Sequence, residues 1–99
     1  MTEFSENVIA IIKRIPKGKV MTYGQIATGA GNRWGARQVV RILSSMSNAY
    51  DLPWHRVINS QGRIGLSGVY GTIQRQKLES EGIEFDSDRI DLEKYLFRL

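Results

Sequence analysis

The stretch Thr22-Tyr23-Gly24-Gln25-Ile26-Ala27-Thr28-Gly29-Ala30-Gly31-Asn32-Arg33-Trp34-Gly35-Ala36-Arg37-Gln38-Val39-Val40 decides the fold of this chain. Its first four residues form a capping-box pattern, in which the Thr22 hydroxyl accepts from an early helical amide and Gln25 reaches back. A short helix is expected from about Tyr23 to Thr28, a turn over Gly29 to Arg33, and a further helix from about Trp34 to Ser45. Two short helices joined by a glycine-containing turn read as a helix-turn-helix. In the second, Ala36, Val39, Val40 and Leu43 form an i, i+3, i+4, i+7 stripe that should face a core. At about 100° per residue, Arg37, Gln38 and Arg41 then point away from that stripe. Gly35 and Ala36 leave the start of this helix slim enough to approach a groove. Such a helix suits nucleic acid. An ordinary solvated basic face fits the same residues equally well.

Upstream, Phe4, Val8, Ile11, Ile12 and Ile15 recur at helical spacing and predict a helix over residues 3–15. Pro16 to Lys19 breaks it. Downstream, Ser44 to Asp51 reads as a polar connection. Leu52-Pro53-Trp54-His55-Arg56-Val57 follows, a proline-stiffened corner that feeds an apolar strand. Read alone, Trp54 is a core residue there and His55 a satisfied structural histidine. Val57-Ile58 and Arg63-Ile64 flank Asn59-Ser60-Gln61-Gly62, a type I turn pattern, and predict a β-hairpin or wing. Gly65 to Gly71 reads as a glycine-rich loop. Residues 72–81 read as a last helix with Gly82 at C′ and Ile83 supplying the following apolar contact. In the mixed tail beyond Asp86, Leu92, Tyr95, Leu96 and Phe97 are expected to pack back onto the domain. The fold class is mainly α with a small β-hairpin, a winged helix-turn-helix.

The 99 residues are expected to form one domain, with a hydrophobic share of 41% that can supply a modest core. The absence of cysteine excludes disulfides and any thiolate nucleophile or thiolate metal site, and the single histidine argues against zinc. No metal or other cofactor is expected. The first residues, Met1 to Glu6, are acidic and lack a signal-peptide layout, and no run is apolar enough for a membrane span, so a cytoplasmic protein is expected. A net charge of +4 is compatible with a polyanionic partner.

Pro53-Trp54-His55-Arg56-Val57 resembles the Pro-Cys-His-Arg-Val motif of the O6-alkylguanine-DNA alkyltransferases, with tryptophan in place of cysteine. That replacement marks their sister group, the alkyltransferase-like proteins. The similarity runs from about Ile15 to Gly82. It implies the fold of the alkyltransferase C-terminal domain and a monomer bound to double-stranded DNA containing O6-alkylguanine, with nucleotide excision repair proteins as later partners. It implies no catalytic residue: Trp54 stands in the nucleophile position, and His55 and Glu81 are remnants of a relay. The DNA contacts it implies are Thr22, Tyr23 and Arg37; the slim start and basic outer face of the helix itself add Gly35, Ala36, Gln38 and Arg41, with Arg33 beside them. Among them Tyr23 crowds a phosphate, and Arg37 fills the space left by a rotated-out base, with the recognition helix in the minor groove. The implied lesion pocket is Met21, Tyr23, Pro53, Trp54, Val57, Ser67, Gly68 and Tyr70. Asn48 matches an asparagine that braces the active-site turn. Some alkyltransferase-like proteins read the base with a basic residue in the pocket loop, whereas Gly65 to Gly71 carries no charge here.

Three functions follow for comparison. The first is a non-enzymatic sensor that binds and flips O6-alkylguanine and marks it for nucleotide excision repair. The second is a winged-helix transcriptional regulator. The third is an active repair enzyme using another nucleophile, which one histidine and one relay glutamate support poorly.

Overall fold

The computed structural model describes residues 1–99. Helix α1, Glu3–Arg14, starts at the cap Thr2, whose hydroxyl accepts from the Ser5 amide at 3.1 Å. Glu3 and Glu6 in its first turn and Lys13 and Arg14 in its last complement the helix dipole. A two-residue strand β1, Met21–Thr22, leads into α2, Tyr23–Gly29. The capping box is present: Thr22 Oγ1 accepts from the Gln25 amide at 3.1 Å, and Gln25 Oε1 accepts from the Thr22 amide at 3.3 Å. The turn after α2 is held by Asn32, whose Oδ1 accepts from the Trp34 amide at 3.0 Å.

Helix α3 is Ala36–Tyr50. It starts two residues after the expected Trp34 and runs five past the expected Ser45, through the segment read as a polar connection. The hydroxyls of Ser44, Ser45 and Ser47 each donate to the carbonyl four residues back. The serines thus pair within the helix rather than competing with it. The buried stripe also shifts, to Val39 and Ile42 with Leu43 and Met46 packed alongside, while Val40 is 44% exposed. Ala36 is half-buried. Gly35, read as slim for a groove, is buried: a Cβ there would sit 2.6 Å from the Phe4 ring. Its smallness serves the α1–α3 contact.

A 3-10 turn, Trp54–Arg56, precedes strand β2, Val57–Ile58. The expected hairpin between Val57-Ile58 and Arg63-Ile64 does not form as a ladder. Its turn does form, with Asn59 Oδ1 accepting from the Gln61 and Arg63 amides at 3.0 Å. Strand β2 instead pairs with β1 in parallel, Met21 opposite Val57 and Thr22 opposite Ile58. Val57 and Ile58 are both buried, and a strand covered on both faces is the setting in which parallel pairing occurs. Successive side chains point to opposite faces. Met21 and Val57 therefore join the main core of α1, α2 and α3, and Val20 and Ile58 join a smaller one with Leu78, Ile83, Ile90 and Tyr95.

Helix α4, Gly68–Ser80, begins inside the expected glycine-rich loop. A Cβ at Gly71 would lie 2.4 Å from the Leu66 carbonyl, so glycine there lets the incoming chain press against the helix. The end of α4 is as expected. The Ile83 amide donates to the Leu78 carbonyl at 3.1 Å and the Gly82 amide to the Glu79 carbonyl at 3.0 Å, a Schellman motif closed by the Ile83–Leu78 apolar contact. The tail is more ordered than its composition suggested, with a hairpin of β3, Phe85–Asp86, and β4, Arg89–Ile90, then α5, Leu92–Tyr95. Val20 exchanges backbone bonds with Tyr95 and Phe97 at 2.9 and 2.8 Å, and Gln25 Nε2 donates to the Phe97 carbonyl at 2.6 Å. The tail is thereby fastened to β1 and to the start of α2. The architecture is mainly helical with small sheets. No helix is long and apolar enough to cross a membrane.

Candidate nucleic-acid interface

Arg37, Gln38 and Arg41 are exposed on α3, and Arg33 is exposed in the turn before it. Arg37 sits in the first turn of α3, which carries no acidic residue and whose cap, Gly35, has no side-chain hydrogen bond. A cation there opposes the helix dipole. The uncapped amides and the arginine favour an anion outside the protein over the stability of the helix itself. Arg33 lies over the Trp34 ring at 4.6 Å, and Trp34 is 80% exposed. Thr22 is committed to capping, and Tyr23 stands first in α2 beside it. Burial raises the Tyr23 phenol above its ordinary pKa of 10.0, so it stays a neutral donor.

Behind this face opens a cavity of about 420 Å³, within the ~300–1,000 Å³ typical of small-ligand sites. Of the pocket residues expected from the sequence, Tyr23, Trp54 and Tyr70 line it. Met21 and Val57 do not; they are buried in the β1–β2 pair and face the main core. Pro53 is half-buried next to Trp54 but is not part of the lining. Ser67 is the exposed residue that precedes α4, and Gly68 opens instead onto a second cleft with Arg63, Arg75 and Phe85. The rest of the cavity wall was missed. Val40, Leu43, Ser44, Ser45, Ser47 and Asn48 come from the outer face of α3, and Leu66 and Gln74 from around α4. Reading helix periodicity through the serines to Tyr50 would have placed the α3 residues on one wall. Asn48, expected to brace a turn, is part of that wall.

Trp54 belongs to neither hydrophobic cluster and is half-buried, so it is a cavity residue and not a core one. Its ring meets the His55 ring edge-on at 6.3 Å between centroids. His55 turns away into a polar cluster. Its Nε2 lies 2.8 Å from Glu81 Oε2, and Arg56 donates to the same carboxylate through Nε at 3.0 Å and through its terminal nitrogen at 2.8 Å. The other Arg56 terminal nitrogen donates to the Ile15 carbonyl at 2.9 Å, and the Gly18 amide to Glu81 Oε1 at 3.4 Å. Burial opposes ionisation of Glu81, but the Arg56 and His55 hydrogen bonds outweigh it and hold the carboxyl at about 2. Burial lowers the His55 pKa below 6.5, and the Glu81 carboxylate only partly offsets this. At neutral pH, neutral His55 therefore donates from Nε2 to ionised Glu81. No cluster of three or more histidine, aspartate or glutamate side chains converges as a metal site would require.

Residues 3–83 match the model of the 6-O-methylguanine DNA methyltransferase DNA-binding domain, and the chain belongs to that family. At 49% identity over 96 residues it is similar to the DNA base-flipping protein of Vibrio parahaemolyticus, with 96% of each chain covered. At 44% identity over 86 residues it is similar to alkyltransferase-like protein 1 of Schizosaccharomyces pombe, covering 85% of this chain and 80% of that one. The crystal structure of the latter in complex with damaged DNA containing O6-carboxymethylguanine shares its fold with a TM-score of 0.85 at 35% identity, covering 100% of this chain and 98% of that one.

Proposed function

We propose that this protein is a non-enzymatic sensor that binds duplex DNA containing O6-alkylguanine, rotates the modified base into the α3–α4 cavity and marks it for nucleotide excision repair. The observation that carries this reading is Trp54. It occupies the cavity wall in the motif position of a cysteine, above an intact His55–Glu81 pair, in a chain with no cysteine. Indole nitrogen is only a hydrogen-bond donor, so His55 has no thiol to deprotonate and alkyl transfer has no acceptor. What remains is recognition: an exposed basic helix face, and a cavity with Tyr23 and Trp54 in its lining as an aromatic wall for a base. An operator-binding regulator would use the same helix but would leave the cavity without a purpose.

The test is a pair of matched duplexes, one carrying a single O6-methylguanine with a labelled methyl group. The lesion duplex should bind more tightly and all label should remain on DNA. Label on the protein, or released as methanol, would overturn the reading, and equal affinity for the two duplexes would favour the regulator.

Arg37→Ala should weaken lesion binding by about tenfold, within the ~1–3 kcal/mol of a good specific arginine contact, because the cost of an empty base stack is then no longer offset. Log affinity of the wild type should fall linearly with log salt, by about 0.9 per phosphate neutralised. Arg37→Ala binding lesion DNA like wild type would remove the arginine from this role.

A further inference from the structure

Trp34 is 80% exposed, more than any other large hydrophobic side chain of the molecule. It belongs to neither hydrophobic cluster and lines neither the α3–α4 cavity nor the cleft beside α4, so the packing makes no use of its ring. Its backbone is nonetheless held on both sides. The Trp34 amide donates to Asn32 Oδ1 at 3.0 Å, the Gly35 amide donates to the Asn32 carbonyl at 2.9 Å, and Gly35 is packed against the Phe4 ring. The Arg33 guanidinium lies over the indole at 4.6 Å, which covers one face of the ring and leaves the other open. Stacking uses the plane of a guanidinium and leaves the N–H donors around its edge available. No carboxylate takes them, because the four ion pairs of the molecule involve other residues. Between Glu6 and Asp51 the chain has no acidic residue, while half of its fourteen lysines and arginines fall there, Arg33, Arg37 and Arg41 among them. An open indole face beside unpaired guanidinium groups suits a partner that alternates negative charge with apolar surface, as the sugar–phosphate backbone of DNA does.

We propose that the Arg33–Trp34 stack is a lesion-independent anchor on the DNA backbone, in which the guanidinium edge takes a phosphate and the open indole face packs on the adjoining deoxyribose. It rests on α3 being the helix that meets DNA. Trp34 stands just before the cap Gly35 and three residues before Arg37, so the anchor fixes the start of α3 on the duplex and with it the register at which Arg37 arrives. Sugar and phosphate contacts position a protein without reading a base. The stack therefore sets the affinity with which undamaged DNA is searched, and leaves the preference for damage to the cavity.

The experiment measures affinity for matched duplexes with guanine or O6-methylguanine. Trp34→Ala should weaken both by about fivefold, the scale of one aromatic face left in water, with their ratio unchanged. It should melt close to wild type, because the ring is outside both clusters. Arg33→Ala should also weaken both, and should flatten the salt slope of log affinity by about 0.9, one phosphate contact, whereas Trp34→Ala keeps the slope. A second measurement keeps Trp34 in place. The chain has two tryptophans, so in Trp54→Phe the emission reports Trp34 alone. Its quenching by acrylamide should fall when plain duplex is added, and equally with lesion duplex. Plain-duplex affinity of Trp34→Ala equal to wild type, or quenching that DNA leaves unchanged, would overturn the anchor and turn the exposed indole toward a protein partner. A loss confined to lesion duplex would overturn it by making Trp34 a reader of damage. If wild type binds the two duplexes alike, the sensor reading fails instead, while the anchor is still decided on plain duplex.

Discussion

Glu81→Ala should lower the unfolding free energy by about 3–5 kcal/mol, the range for removing one partner of a buried ion pair. The carboxylate is 8% exposed and its Arg56 partner 16%. Without it, the Arg56 guanidinium stays between α1 and α4 with only the Ile15 carbonyl, and His55 and the Gly18 amide each lose an acceptor. The cluster ties together the end of α1, the Trp54–Arg56 turn and the end of α4, three places far apart in sequence. Urea denaturation of both proteins at neutral pH gives the difference, and a loss under about 1 kcal/mol would place the cluster among weak surface pairs. The pH dependence has a definite sign. The folded carboxyl titrates at about 2 against an ordinary 4.5, so its contribution is complete above 4.5 and disappears as pH falls through about 2. His55 adds a loss of the same direction that begins as pH falls below 6.5, since the fold prefers its neutral form. The stability gap between wild type and Glu81→Gln should therefore narrow between pH 4.5 and 2.

Trp54→Ala should abolish most of the preference for lesion DNA while leaving the salt-sensitive affinity for plain duplex in place. A base stacked on an aromatic side chain contributes ~1–3 kcal/mol, whereas the exposed Arg37 and Arg41 on α3 are not part of the cavity lining. The structure also says what should not happen. A core tryptophan replaced by alanine costs ~3–5 kcal/mol of stability, whereas Trp54 is half-buried and lies outside both hydrophobic clusters. The variant should melt close to wild type. A strongly lowered melting temperature would return Trp54 to the core. Retained lesion preference in a well-folded variant would remove it from the pocket. Indole fluorescence of the wild type offers a second measurement, with a larger change expected for lesion duplex than for plain duplex.

Features governed by neighbours in the chain were legible from sequence. The Thr22–Gln25 capping box, the α1 stripe from Val8 to Ile15 and the Schellman end at Gly82 and Ile83 all close within eight residues, so residue type and spacing specify them. The motif around Trp54, with the lack of cysteine, bounds the chemistry from the sequence alone. The tertiary structure decided what depends on contacts across the chain. Two-residue strands carry no period to read, so the parallel pairing of Met21–Thr22 with Val57–Ile58 had no local signal, and a turn of hairpin type drew attention to the wrong partner. Val40 keeps helical spacing but faces the cavity, because packing against α1 and α2 rotates α3 to bury Ile42 instead. Gly35 is small for the sake of the Phe4 ring, thirty-odd residues away in sequence. Gln74 sits in a helix with a thin apolar face and looks like a surface residue in the sequence. Only the meeting of α4 with the Trp54–Arg56 turn and β2 buries its amide, which donates to the His55 and Val57 carbonyls.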